Sequence, residues 1–309
     1  MYTLNAKPLL VCAALMAQIA CSSRPTAPES PQEPKTGGER SQAEPQLSEA
    51  LIQSLRGQDI ILIGETHDHP QHHLYQAELI RALKPRSVAF EMLNTSQAEE
   101  SASLFSKPET EWDQALTWTQ RGWPDFELYR PVFEAAREVK AELIAAHPDR
   151  ATLMPLMINQ PLPELLIRGL KLDRPLPAAA QAELEQEIIR SHCGYAPKEM
   201  IGPMVMAQRL KDAWMARALL AAPRPVVMIV GRGHTQASRG IPWALEQLSN
   251  AEAPASWRVI SLVIEGQAQP AEQPHVEVIL TTPHRTDDPC ERFKEQLKGM
   301  GRPPLSPDK

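Results

Sequence analysis

The chain has 309 residues, 42% of them hydrophobic, and a formal net charge of -6. That length and apolar content suffice for a full core, in one large domain or two smaller ones. The acidic balance argues against nucleic acid as a partner, because such binding rests on Lys and Arg neutralising phosphates.

The first twenty residues read as an export signal: Lys7 in a sparse n-region, an apolar run from Leu9 to Ala20, and the small Ala20 just before Cys21. The run is too short to span a bilayer. Cys21 followed by Ser22 and Ser23 resembles the acylation site of a bacterial lipoprotein, with Gln18 standing where such signals carry Leu. Ordinary secretion is the alternative. Ser22 in place of Asp implies, by the same resemblance, a palmitate-bearing anchor in the outer membrane, facing the periplasm. In that oxidising compartment Cys193 and Cys290 are the thiols left once Cys12 leaves with the signal and Cys21 is acylated. A disulfide between them is expected, with two unpaired buried thiols as the alternative.

Residues 1–20 are thus the signal and residues 21–46, rich in Pro, Ser, Glu and Gln, a flexible tether that buries too little to offset chain entropy. The folded domain is expected over 47–290, with 291–309 a frayed tail. Leu47, Leu51, Ile52 and Leu55 predict a helix stopped by Gly57. Ile60 to Ile63 predicts a strand, Pro70 opens a helix that Pro85 ends, and Ser87 to Phe90 is the next strand, ending at Glu91. This strand, helix, strand unit predicts a right-handed parallel crossover. Ser96 to Trp123, polar but carrying Trp112, Trp118 and Trp123, predicts a helical insertion over the strand ends.

Phe126 to Val139 reads as a helix and Glu142 to Ala146 as a strand ending at His147. Met154 to Leu172 and Ala178 to His192 read as helices, and Pro203 as the opening of a long one to about Ala222. On that helix Met204, Gln208, Asp212 and Met215 share a face, so the amide and carboxylate either enter a site or lie at the solvent edge of the stripe. Val226 to Val230, ending in Gly231, Arg232, Gly233 and His234, is a strand, Ile241 to Leu248 a helix, and Val259 to Ile264 and Val276 to Leu280 complete the sheet. The expected class is α/β: a mostly parallel central sheet flanked by helices.

Glu65 with His67, Glu91, His147 and His234 all follow predicted strands. In a parallel sheet they meet at one rim, the usual place for a site. Glu65, His67, Glu91, His147 and His234 are ordinary ligands for a divalent metal such as zinc or manganese. The same groups serve metal-free acid and base chemistry equally well. His69, His72 and His73 open a helix, where a solvated face is the expectation over a His69 and His73 metal pair. Gly231 and Gly233 are no dinucleotide fingerprint, since Gln236 takes the third glycine's place, and no Walker loop, paired-histidine metalloprotease helix or serine elbow is present.

The runs Gly64 to Asp68, Phe90 to Met92, Trp123 to Pro131, His192 to Gly194, Ala207 to Ala216 and Gly231 to His234 together resemble the ChaN family of haem-binding, iron-regulated lipoproteins. The resemblance spans Leu47 to about Cys290. That family shares a superfamily with Tiki metalloproteases, TraB proteins and erythromycin esterases. The resemblance implies one α/β domain with helical insertions, a role in haem or iron acquisition, and a haem receptor or a second copy as partner. From the enzymatic branches it implies Glu65, His67, Glu91 and His234 as the catalytic or metal-binding set of a hydrolase. His147 departs from the family's usual Asn, either adding a ligand or capping a helix. Haem needs an axial Tyr or His, an apolar slot and a cation for its carboxylates. Tyr129, Tyr195, His192 and Arg130 are the candidates, each also readable as ordinary structure, and the Met200 to Met215 helix is a candidate slot wall.

Overall fold

The computed structural model describes residues 47–249, 252, 254–267, 275–282, 290, 291 and 294. The export signal, Cys21, the tether and residues 295–309 lie outside the described residues. In chain order the elements are α1 (Glu49–Leu55), β1 (Ile60–Glu65), α2 (Pro70–Leu83), β2 (Ser87–Asn94), α3 (Ala98–Ser103), α4 (Trp112–Ala115), α5 (Phe126–Glu138) and β3 (Glu142–His147). There follow α6 (Arg150–Met157), α7 (Glu164–Gly169), α8 (Ala178–Ser191), α9 (Lys198–Ala221), β4 (Val226–Gly231), α10 (Ile241–Leu248), β5 (Trp257–Ile264) and β6 (Val276–Thr281).

The six strands form one sheet in the order β3-β2-β4-β1-β5-β6, and every neighbouring pair is parallel. A parallel sheet must be covered on both faces, and β1 shows how the sequence meets that demand. Ile61 and Ile63 face a core shared with α1, α2 and α5, while Ile60 and Leu62 face a second core under α9 and α10. Each such side chain is worth about 1.5–3 kcal/mol when fully buried. The chain steps outward one way through β2 and β3 and the other way through β5 and β6, with β4 and β1 between. Where strand order reverses, the strand C-termini leave a crevice.

Several elements differ from their sequence expectation, and proline or packing explains each. The single helix expected over 154–172 is two short ones, α6 and α7, because Pro161 and Pro163 interrupt the hydrogen-bond ladder between them. α9 begins at Lys198, five residues before Pro203, which sits inside the helix. β2 runs on to Asn94, and its register with β3 shifts between Phe90 and Asn94. The insertion after β2 is helical as expected, in short pieces that include α3 and α4, but Trp112 and Trp118 are fully buried against Phe126 and Phe133. Its aromatic bulk is therefore core. Only Trp123 remains near the rim, edge-on to His67 with ring centroids 5.3 Å apart.

Candidate functional site

Glu65 ends β1 and is buried. Its Oε1 accepts from His67 Nδ1 at 2.8 Å and from the hydroxyl of Tyr129 on α5. Its Oε2 accepts from the amide of Gln76 on α2 and lies 3.4 Å from His73 Nδ1. Glu91 sits within the register shift of β2, and such an irregularity re-aims a side chain. Its Oε2 accepts the Gly231 N–H at 2.7 Å and lies 3.8 Å from His67 Nε2. Its Oε1 is 3.3 Å from Nε2 of His234, in the turn after β4. His234 Nδ1 in turn donates to Asp212 Oδ1 on α9 at 2.5 Å, and the Gln208 amide lies 3.0 Å from the same nitrogen.

These contacts form one chain of alternating acid and imidazole: Glu65, His67, Glu91, His234, Asp212. Its side chains lie between 0% and 8% exposed except that of His67, at 33%. His67 is therefore the member open to an incoming ligand. Burial works against charge on every member, but the contacts outweigh it for four of the five. His73 and His67 hold Glu65 well below the ordinary carboxylate range, and His234, His67 and the Gly231 N–H do the same for Glu91. Glu65 and Glu91 raise His67, while Glu91 and Asp212 lift His234 to about 10. For Asp212 burial prevails, and its carboxyl is pushed up. Tyr129 is pushed well above the ordinary phenol by burial and the Glu65 charge, so it stays a neutral donor.

Gly231 makes this assembly sterically feasible. A Cβ there would stand 2.8 Å from His67 Nε2 and 3.4 Å from Glu91 Oε2. Gly231→Ala is expected to push the His67 ring outward and to cost about 1–3 kcal/mol, the range for overpacking a filled interior. A lowered melting temperature together with a moved His67 imidazole resonance would register it, and an unmoved resonance would contradict it.

The structure brings Glu65, His67, Glu91 and His234 together and adds His147 at their border, since Glu91 and His234 both act on its charge. The five do not close around a common point. Among the described residues no group of three or more His, Cys, Asp or Glu is arranged to hold a metal ion. The reason is visible in Glu65, whose oxygens are taken by Tyr129, His67 and Gln76. The solvated face expected for His69, His72 and His73 is overturned, as all three are buried. His72 Nδ1 accepts the Thr66 N–H at 2.9 Å and His69 Nε2 lies 2.8 Å from the Thr282 carbonyl, tying the site loop to the end of β6. His147 caps no helix through its side chain: its Nδ1–H donates to the Pro148 carbonyl at 2.8 Å.

The residues considered for haem divide. Tyr129 is fully buried with its hydroxyl on Glu65, and Arg130 is spent on Glu127 and the Glu109 carbonyl on the outer side of α5. His192 and half-buried Tyr195 lie in the turn between α8 and α9, where Cys193 is bonded to Cys290 with Cα atoms 5.5 Å apart. Sequence reasoning passed over Gln76 and the partnership of His73 with Glu65. The signal was there: positions 73, 76, 77 and 80 form one helical stripe whose later members, Ala77 and Ile80, are apolar.

A family model described as haem-binding uptake, Tiki superfamily, ChaN matches residues 51–245. Among solved structures, one titled as cofacial heme binding to ChaN of Campylobacter jejuni aligns with a TM-score of 0.58 at 21% identity, covering 72% of this chain and 87% of the other. A second, the type III effector HopBA1, aligns with a TM-score of 0.43 at 13% identity, covering 76% of this chain and 92% of that one. No curated protein matches the chain significantly.

Proposed function

The chain belongs to the ChaN family of haem-binding uptake proteins in the Tiki superfamily, and from that premise we propose that it binds haem beside the Glu and His rim as part of haem or iron acquisition. The family match carries the reading, and the residues at hand fit the group. The α8–α9 turn offers the phenol of Tyr195 and the imidazole of His192 as donors, and Leu184, Ile188, Met200, Met204 and Val205 pack there as an apolar wall. When bound, haem supplies an electrophilic iron and two carboxylates. The chain's own part is to orient the porphyrin, shield it, and through His67 present a protonatable group at the edge.

From Cys21 and the Pro- and Ser-rich stretch after it we propose that the domain stands in the cell envelope, held at the outer membrane by a lipid. Among the described residues no helix is long and apolar enough to cross a membrane. A second copy or a haem receptor is the partner we propose, from the family resemblance of the sequence.

Haem titration of the purified protein is expected to produce a Soret band that shifts in Tyr195→Phe and stays in place in Tyr129→Phe, whose hydroxyl serves Glu65. Absence of any band at micromolar haem ends the reading. The acid and imidazole chain favours a second one, acid and base hydrolysis by Glu65, His67, Glu91 and His234, because a buried relay ending on an open imidazole exceeds what capture needs. On the same preparation, ester or peptide turnover that vanishes in His67→Ala while the Soret band persists would establish it.

A further inference from the structure

The turn between β4 and α10, residues 232–240, folds back on itself and holds a guanidinium inside. Its closure is tight: the N–H groups of Arg239 and Gly240 both donate to the Gln236 carbonyl, at 3.3 and 2.7 Å. A Cβ added at Gly240 would run into the His234 carbonyl oxygen, so glycine is what lets the turn close. Arg239 is thereby fixed with only 7% of its side chain exposed. A guanidinium taken that far from water needs an anion.

The anion is the carboxylate of Glu187, which is half-buried on α8. Its Oε2 accepts from Arg239 Nη2, and its Oε1 rests over Gly233, 2.7 Å from where a Cβ would stand. This pairing uses half of what Arg239 offers. Arginine holds a carboxylate best through two parallel N–H groups, and Nε with Nη2 forms such a fork. Here the Nε–H is buried and, among the described residues, has no hydrogen-bond partner. Nη1 of Arg232, next to Gly233 in the turn, is likewise buried and unpaired, while its Nη2 donates to Gln267 at 3.2 Å. Buried donors without an acceptor are costly enough to need an explanation.

Glu187 is also shallowly anchored. α8 buries only Ala180, Leu184 and Ile188, and the last two belong to a small core cluster separate from the two that cover the sheet. A carboxylate that fills one arm of a fork, on such a helix, is exchangeable for one that fills both.

We propose that this turn is a carboxylate-binding site, formed by the Arg239 guanidinium against Gly233, and that Glu187 fills it until a ligand carboxylate takes its place. Gly233 directly precedes His234, so the ligand lies against the turn that carries one member of the acid and imidazole chain. The assignment goes beyond the haem reading and does not depend on it. The carboxylate comes from the edge of a porphyrin or from another small carboxylic acid.

Sodium acetate is titrated at constant ionic strength into the full chain carrying nitrogen-labelled arginine, with acetamide as the neutral control, and the Arg239 Nε–H resonance is followed. Glu187→Gln removes the internal carboxylate and is expected to bind acetate about tenfold more tightly than wild type, moving that resonance. Glu187→Asp, one methylene short of Arg239, is expected to gain affinity in the same direction, so a misfolded Gln variant does not decide the matter. Adding Arg239→Met to either is expected to abolish the gain, and acetamide is expected to move nothing. Haem and haem dimethyl ester, titrated into wild type and Glu187→Gln, separate the sources. Tighter binding of haem alone in the variant assigns the site to a porphyrin carboxylate, and equal binding beside a retained acetate gain assigns it to another acid. Equal acetate affinity in wild type and both Glu187 variants, or a gain that survives Arg239→Met, overturns the proposal and leaves haem binding standing. A wild type without any Soret band ends the haem reading and leaves the acetate result to decide this one.

Discussion

Glu65→Ala is expected to lower the unfolding free energy by about 3–5 kcal/mol, the scale for deleting one partner of a buried charged network. The carboxylate is the single acceptor that joins three elements: His67 after β1, Gln76 on α2 and Tyr129 on α5. Without it the Gln76 amide and the Tyr129 hydroxyl lose an acceptor in a place water does not reach, and His67 Nδ1–H loses its partner at the rim. Urea titration should show a lower midpoint with an unchanged slope, since the surface exposed on unfolding is the same. Tyr129→Phe alone is expected to cost about 1–3 kcal/mol, and the double variant less than the sum because both remove one bond. A loss under about 1 kcal/mol for Glu65→Ala, the worth of an exposed pair, would mean that Glu65 is not the hub.

Stability is also expected to fall as pH rises from 6.5 towards 10, with His234 as the cause. Its folded value of about 10 lies above the ordinary 6.5, because Glu91 and Asp212 favour the imidazolium more than burial opposes it. A raised group contributes fully below its unfolded value and loses that contribution as pH climbs through the folded one. The effect is on the order of 3–5 kcal/mol across the window, counted once for His234 and its partners. His67, raised in the same direction by Glu65 and Glu91, adds to the alkaline slope. Glu65 and Glu91 have the opposite sign: their values are depressed, so their contribution is present above about 4.5 and is lost as the solution turns acid. His147, held down to about 3 by burial and the Lys211 charge, and His192, depressed for the same reasons, lose their contribution as pH falls below about 6.5, so stability is greatest near 6.5. Thermal melts from pH 6.5 to pH 10 should show the decline in wild type and a flatter curve in His234→Gln. Equal slopes in the two proteins would remove His234 from the account.

The fold was legible because burial imposes its period on the sequence. The apolar runs at Ile60 and Val226 serve strands covered on both faces, and the strand, helix, strand order left a parallel sheet as the default. The rim was legible for the same reason: residues just past strand C-termini in such a sheet share one edge, so Glu65, His67, Glu91 and His234 were expected together. The solvated face expected for the helix at Pro70 was wrong, because three histidines in its first turn read as hydrophilic. Their rings are buried, with their nitrogens on Thr66, Thr282, Thr281, Gln76 and the His67 carbonyl. A polar side chain is compatible with the interior whenever its partners are, and those partners are remote in sequence.

By itself the sequence determined the strand and helix periods, the family, and the set of acids and imidazoles available at one edge of the sheet, since these follow from local pattern and strand polarity. Tertiary structure alone decided how those groups are used. It turned Asp212 and Gln208 of α9 onto His234 and brought Tyr129 and Gln76 from two neighbouring helices onto Glu65. Each of those outcomes depends on distances between elements that no spacing along the chain encodes. Electrostatic energy depends on such distances and on burial, so the charge of every group at the rim is a property of the folded protein.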